Sequence, residues 1–368
     1  MQATEDLVRR LRGTVLPAVA TPMDAAGTVD LGALGRYAER IAAERIGGVA
    51  VWAHTGRGLY LSEADRRRVL TVWREAVAGP VVAGAGVPRS AGAVDRDGAV
   101  DATVAMAVAA AEGGADAVMV YPLARLAGDD DAAVELHERV AAESGLPVVG
   151  FFLHGEAGGY PYPPELVERL LASPSAVGMK LATLDRAMAC QDAIRAVERG
   201  GRLVITGEDR MFGPSLMWGA DTALVGIAAA RVPLTVAVLE AWRTGDHGRF
   251  VRASGRLDRF AEATFRAPIE GYVQRMLWAA VWEGLIPEEA AHDPYGPALP
   301  ASERAAVVAC LEALAKDGSD GAGAARRGLL PAEGPAPDAP AHDAHDAQGR
   351  NETTDRNGET DGAAPALW

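Results

Sequence analysis

Between residues 14 and 245, short unbroken apolar runs alternate with stretches whose apolar residues recur at helical spacing. The runs are Thr14–Ala20, Gly48–Ala53, Pro80–Gly84, Ala117–Tyr121, Pro147–Phe152, Ala176–Lys180, Arg202–Gly207 and Thr222–Ile227. Each is rich in Val, Ile or Ala, and apolar positions do not alternate with polar ones. That is the pattern of strands covered on both faces. Between them, Glu63–Ala78 places Val69, Leu70, Trp73 and Val77 on one helical face. Ser62 is suited to cap it, because a hydroxyl there can accept from the free amides of the first turn. Asp101–Gly113, Asp131–Ser144, Pro163–Ala172 and Asp185–Val197 follow the same logic. Eight strand–helix units predict an α/β fold, a (β/α)8 (TIM) barrel over residues 11–245. A doubly wound open sheet is the rival. The first turn, Pro22-Met-Asp-Ala-Ala-Gly27, lacks the G-x-G-x-x-G of that fold.

Three more helical stretches, His247–Thr264, Glu270–Gly284 and Ser302–Lys316, predict a C-terminal helical region over 246–316. From Asp317 the chain turns to Gly, Ala, Pro, Asp and Glu. Such a composition buries too little apolar surface to offset its ordering entropy, so 317–368 is expected to be a disordered tail. The His342-Asp-Ala-His-Asp346 cluster within it is expected to be solvated rather than a metal site.

Composition narrows the function. A net charge of −14 argues against a basic surface for nucleic acid or anionic membrane, because both need clustered positive charge. Cys190 and Cys310 lie far apart with no CxxC partner, which argues against a disulfide framework or structural zinc. The seven histidines show no His-Glu-x-x-His pattern, so neither a metal nor a cofactor is expected. No leader pattern opens the chain and no apolar run reaches a membrane-spanning length, so a cytoplasmic protein is expected.

Of 36 lysines and arginines, only Lys180 and Lys316 are lysines. Arginine stays protonated and is a poor nucleophile, whereas a desolvated lysine amine can lose its proton and attack a carbonyl. Lys316 ends a helical stretch before the polar tail. Lys180 ends the sixth apolar run, where a barrel carries its reactive groups. Its amine can condense with a ketone, and the iminium then draws electrons from the adjacent bond. His54-Thr55-Gly56 follows the second run and could hold a carboxylate in a small anion nest. Arg57 could clamp an acidic substrate or pair with a helix carboxylate. Tyr121, Phe151, Phe152, His154, Glu208, Asp209 and Gly226 also fall at or just beyond strand ends.

Several segments resemble the dihydrodipicolinate synthase/N-acetylneuraminate lyase family. They are Gly13-Thr-Val-Leu-Pro-Ala-Val-Ala-Thr-Pro22, Ala53-His-Thr-Gly-Arg-Gly-Leu-Tyr-Leu-Ser62, Gly84-Ala-Gly86, the stretch from Gly114-Ala-Asp-Ala-Val118, Leu146-Pro-Val, and Gly178-Met-Lys-Leu-Ala-Thr183. The resemblance spans about residues 11–316. It implies a barrel, commonly a homotetramer, with a Schiff-base lysine that acts on 2-oxo acids such as pyruvate. Lys180 matches that lysine, and Thr55 matches the threonine that binds the substrate carboxylate. The departures are equally specific. Phe151 stands where the family has its proton-relaying tyrosine, His54 replaces the first loop threonine, and Arg57 replaces the loop glutamate. Glu156 stands where the synthase branch has an arginine, and Pro122-Leu-Ala124 replaces that branch's Pro-Tyr-Tyr. The loop Val87–Val100 is longer than usual.

The combined reading is a class I aldolase or lyase on a 2-oxo acid, distinct from dihydrodipicolinate synthase itself. Lys180, His54 and Tyr121 are its candidate catalytic residues; Tyr160 and His154 are weaker proton-transfer candidates. Thr55, Gly56, Arg57, Phe151 and Gly226 would bind substrate. The alternatives are a dehydratase or decarboxylating hydrolyase through the same imine, or a diverged binding protein without turnover. The expected partners are a small-molecule substrate and further copies of the chain, as a dimer or tetramer.

Overall fold

At the centre of the structure, a computed structural model that describes residues 2–319, lies one sheet of eight parallel strands. They are β1 (Val15–Pro17), β2 (Val49–Val51), β3 (Val81–Ala85), β4 (Ala117–Val120), β5 (Val148–Leu153), β6 (Ala176–Ala182), β7 (Leu203–Thr206) and β8 (Thr222–Val225). The hydrogen-bonded order runs from β1 through β8, β7, β6, β5, β4 and β3 to β2. A parallel bridge between Ala18 and Ala50 joins the free edges of β1 and β2. The sheet therefore closes, as the eight apolar runs predict. Every strand residue except Ala182 is buried, which is why the runs are continuous rather than alternating.

Helix α1 (Gln2–Leu11) precedes β1. One helix then follows each strand in turn: α2 (Leu31–Ala42), α3 (Glu63–Ala76), α4 (Arg96–Glu112), α5 (Asp130–Ser144), α6 (Pro164–Leu171), α7 (Ala187–Arg199), α8 (Phe212–Met217) and α9 (Val232–Arg243). Ser62 caps α3 as expected, its hydroxyl accepting from Asp65 N at 3.1 Å. The helical region comprises α10 (His247–Thr264), α11 (Tyr272–Trp282) and α12 (Ala301–Ser319).

Three expectations need correction. Helix α1 was not foreseen. Its Leu7 and Leu11 pack with Leu16, Val177 and Leu203 at the strand starts, closing the barrel floor, and Arg12 pairs with Asp221 beside it. Helix α4 starts at Arg96 rather than Asp101, because the Asp95 side chain accepts from Gly98 N at 2.8 Å. The loop after β3 is correspondingly shorter. Helix α12 continues through Ser319, so the first residues assigned to the tail are helical. The remainder of the segment expected to be disordered lies outside the described residues.

Two apolar layers result, one between sheet and helices and one inside the barrel. In the outer layer the Tyr37 and Trp73 rings meet edge to face at 5.5 Å. Among the described residues, no helix is long and apolar enough to cross a membrane.

Arg275 of α11, wholly buried, fixes the approach to that helix. Its guanidinium donates to the carbonyls of Thr264 at 3.2 Å, Arg266 at 2.8 Å, Ala267 at 3.2 Å and Pro268 at 3.3 Å, and to Glu303 of α12 at 2.9 Å. The segment between α10 and α11 is thereby tied down, and α11 starts above the strand ends.

Trp73→Ala empties the space filled by a fully buried indole. We expect a loss of roughly 3–5 kcal/mol, typical of large-to-small core changes. A lowered midpoint in a denaturant titration checks it.

Candidate active site

Lys180 lies near the C-terminal end of β6, in register with Phe151 on β5 and Ile205 on β7. It is only 5% exposed. Its Nζ sits 4.1 Å from the centroid of the Phe151 ring. On the other side, Gly207 leaves room for it, since a Cβ there would stand 2.6 Å from Lys180 Cε. Burial drives the amine's pKa well below the ordinary 10.5, although Asp209 and Glu208 pull it upward. The amine opens into a cavity of about 60 Å3, which Thr55, Phe151, Asp209, Gly226 and Tyr272 help to enclose. An outer cleft of about 860 Å3 adjoins it, with His54 and Glu270 bordering both.

His54, Thr55 and Gly56 form a single 3-10 turn after β2. Non-glycine residues with positive φ bracket it, Trp52 at 56° and Arg57 at 54°. Such backbone persists only where the surroundings enforce it. Trp52 is held by its indole N–H donating to Arg66 O at 2.9 Å. Arg57 is held by a buried fork: Nε donates to Asp293 Oδ1 at 3.0 Å and Nη2 to Asp293 Oδ2 at 2.6 Å. Its Nη1 donates to Glu270 Oε2 at 2.9 Å and its Nη2 to Glu270 O at 3.1 Å. His54 Nε2 lies 3.0 Å from both oxygens of the same Glu270 carboxylate. The turn after β2 is thus bonded to the chain just before α11 and to the segment that follows it.

That bonding brings Tyr272, the first residue of α11, into the cavity. Its hydroxyl shares a hydrogen bond of 3.1 Å with Thr55 Oγ1. Its ring stacks on Phe265 at 4.6 Å and lies nearly parallel to His54 at 6.0 Å. Gly226 makes the space: a Cβ there would fall 2.8 Å from Thr55 Oγ1 and 3.2 Å from Tyr272 Cε2. Burial raises the Tyr272 phenol well above its ordinary pKa. Two carboxyls complete the rim. Burial raises Glu208 to about 7, although it accepts from Thr183 N at 2.6 Å and Thr183 Oγ1 at 2.8 Å. Burial likewise raises Asp209, which accepts from Ile227 N at 2.7 Å.

The structure brings Lys180, His54, Thr55, Phe151 and Gly226 to one cavity, with His154 at its edge. It places four candidates differently. Arg57 is 1% exposed and pairs with Asp293 and Glu270, the second of the two roles the sequence leaves open to it. Gly56 does not line the cavity: its N–H donates to Ala53 O at 3.0 Å and its carbonyl accepts from Thr21 Oγ1 at 2.8 Å. The Arg57 N–H likewise donates to His54 O, so neither amide contributes to an anion nest. Tyr121 directs its hydroxyl to Trp52 O at 3.2 Å and borders the outer cleft, not the cavity that holds Lys180. Tyr160 packs against Tyr162 at 4.9 Å, away from both. His154 Nδ1 lies 3.1 Å from Glu156 Oε2, and burial lowers its pKa. Tyr272 and Glu270 were not anticipated as site residues, and no local motif marks either one.

The model of the dihydrodipicolinate synthetase family matches residues 11–314. The chain belongs to that family. It is 31% identical over 262 residues to 4-hydroxy-tetrahydrodipicolinate synthase 1 of Streptomyces coelicolor, covering 71% of this chain and 81% of that protein. Dihydrodipicolinate synthase from Bacillus clausii superposes with a TM-score of 0.72 at 18% identity, over 83% of this chain and 99% of that one. A catalytic-lysine mutant of Ruminococcus gnavus sialic acid aldolase gives 0.71 at 18% identity, over 85% and 98%. At those identities the structural likeness shows the fold alone, the same closed barrel of eight parallel strands.

Removing Asp293 leaves Arg57 charged, buried and half-paired. Asp293→Ala should cost about 3–5 kcal/mol, as for other broken buried pairs, read as a drop in melting temperature. A second expectation concerns acid. Burial alone would raise Glu270, but hydrogen bonds from His54 and Arg57 outweigh it and hold the carboxyl at about 2 instead of 4.5. A depressed carboxyl contributes stability that is full above its unfolded pKa and is lost as pH falls through the folded one. Stability should therefore decline between about pH 4.5 and 2. Glu270→Gln should flatten that decline in an acid titration followed by circular dichroism.

Proposed function

We propose that this chain is a lyase that works through a covalent imine between Lys180 and a 2-oxo acid, in the manner of a class I aldolase. The observation that carries the reading is the desolvated Lys180 amine, opening into a small cavity on the face of the barrel where such enzymes act. A partly neutral amine attacks the substrate ketone, and loss of water leaves an iminium. The Phe151 face, 4.1 Å from Nζ, offers its negative quadrupole to that cation. Thr55, which lines the same cavity, would meet the 2-oxo acid carboxylate through its Oγ1. The outer cleft has room for the rest of a larger substrate.

Family membership supports the same chemistry, as do relatives named as synthases and as a sialic acid aldolase with a catalytic lysine. Phe151 and Glu156, in place of the family's tyrosine and the synthase branch's arginine, support a substrate other than that of the synthase. A dehydratase acting through the same imine is the second reading. It shares the imine step with the aldolase reading, and the group that then departs would be a hydroxyl. A homo-oligomer is the setting that the family resemblance implies.

The test is reductive trapping. Pyruvate with borohydride should leave a reduced adduct on the Lys180 peptide, and Lys180→Ala should remove it. The trapping rate should rise with pH and level off well below 10.5, because the amine is more acidic than an exposed one. No adduct with a panel of 2-oxo acids would remove the enzyme reading. An adduct with no turnover of any of them would favour the binding protein.

A further inference from the structure

If Lys180 forms an imine, protons must move at two points. The carbinolamine must lose its hydroxyl as water, and the iminium must lose a proton from the neighbouring carbon. Phe151, the residue nearest the amine on β5, has no proton to give or take. The other candidates are committed elsewhere. His54 Nε2 faces the Glu270 carboxylate at 3.0 Å, and His154 Nδ1 faces Glu156 at 3.1 Å. Tyr121 donates to a backbone carbonyl outside the cavity. Glu208 accepts two hydrogen bonds from Thr183, and Asp209 accepts one from Ile227 N.

Tyr272 is placed differently. It is buried, it lines the same cavity as Lys180, and its hydroxyl meets Thr55 Oγ1. Its ring is fixed between Phe265 and His54, and the missing side chain of Gly226 keeps its approach open. Resting on the imine reading above, we propose that Tyr272 is the catalytic acid–base of this site.

The steps balance. The Tyr272 O–H gives its proton to the carbinolamine hydroxyl. The C–O bond breaks and water leaves, while the Nζ lone pair closes the C=N bond. An iminium cation and a Tyr272 phenolate result. A phenolate in so buried a place is costly alone, but here it forms beside a new cation and next to the Thr55 hydroxyl. The phenolate then takes a proton from the carbon next to the iminium. That C–H pair becomes the C=C of the enamine, the C=N π pair returns to nitrogen, and the phenol is restored. No other reactant is needed.

The probe is pyruvate in D2O, with methyl-proton exchange followed by NMR and the Lys180 adduct followed by borohydride trapping and peptide mass. Tyr272→Phe keeps the ring and its stacking and removes only the oxygen. It should still yield the adduct after long incubation, but slow methyl exchange roughly 100-fold or more, the usual scale of a lost general acid–base. Exchange at the wild-type rate in this variant, with the adduct present, would overturn the proposal and leave the imine reading standing. So would a wild-type adduct without any exchange. A wild-type protein that forms no adduct would overturn both. Should Tyr272→Phe not fold, 3-fluorotyrosine at position 272 carries the test. Its more acidic phenol should change the exchange rate several-fold, and an unchanged rate counts against the proposal.

Discussion

An amine held inside a packed barrel cannot keep its water, and the site is arranged around that constraint. Lys180 is desolvated because β5, β6 and β7 place Phe151 on one side and a glycine on the other. Burial disfavours the ammonium and leaves part of the amine neutral. Asp209 and Glu208 limit the effect without cancelling it. The same low-dielectric setting makes each charge that appears during reaction expensive, so the residues around Lys180 matter through what they offer a transient cation or anion. Phe151 offers a π face, Thr55 a hydroxyl, and Tyr272 a phenol.

The second constraint is tertiary. The barrel alone supplies the lysine and the threonine, while the phenol comes from the helical region. A buried ionic cluster joins the two: Arg57 and His54 reach from the turn after β2 to Glu270, and Arg57 reaches further to Asp293. Arg275 holds the preceding segment by its carbonyls. A buried cluster of this kind adds little net stability over an apolar one, but it fixes one geometry. Here the geometry it fixes is the meeting of Tyr272 with Thr55.

The strands were legible because strands buried on both faces must be continuously apolar, and their predicted limits differ from the observed ones by a few residues at most. Lys180 was legible because a chain that otherwise uses arginine kept a lysine at a strand end. The rest of the site was not. The contacts that place Tyr272, Glu270 and Asp293 span 213 to 236 residues, and neither periodicity nor spacing encodes them. For Arg57 the sequence leaves two partners open, since an arginine after a strand looks the same whether it faces a substrate or a buried carboxylate; the structure pairs it with Asp293 and Glu270. Helix α1 is not legible because it precedes the repeating pattern and contributes only Leu7, Val8 and Leu11 to the barrel floor.

The central claim is that Lys180 carries an acidified amine. With only two lysines in the chain, 13Cε-lysine labelling gives a spectrum simple enough to titrate residue by residue, and Lys180→Arg assigns the signal. The account predicts that the Lys180 resonance shifts with a midpoint well below 10.5. A midpoint at or above 10.5 would contradict it.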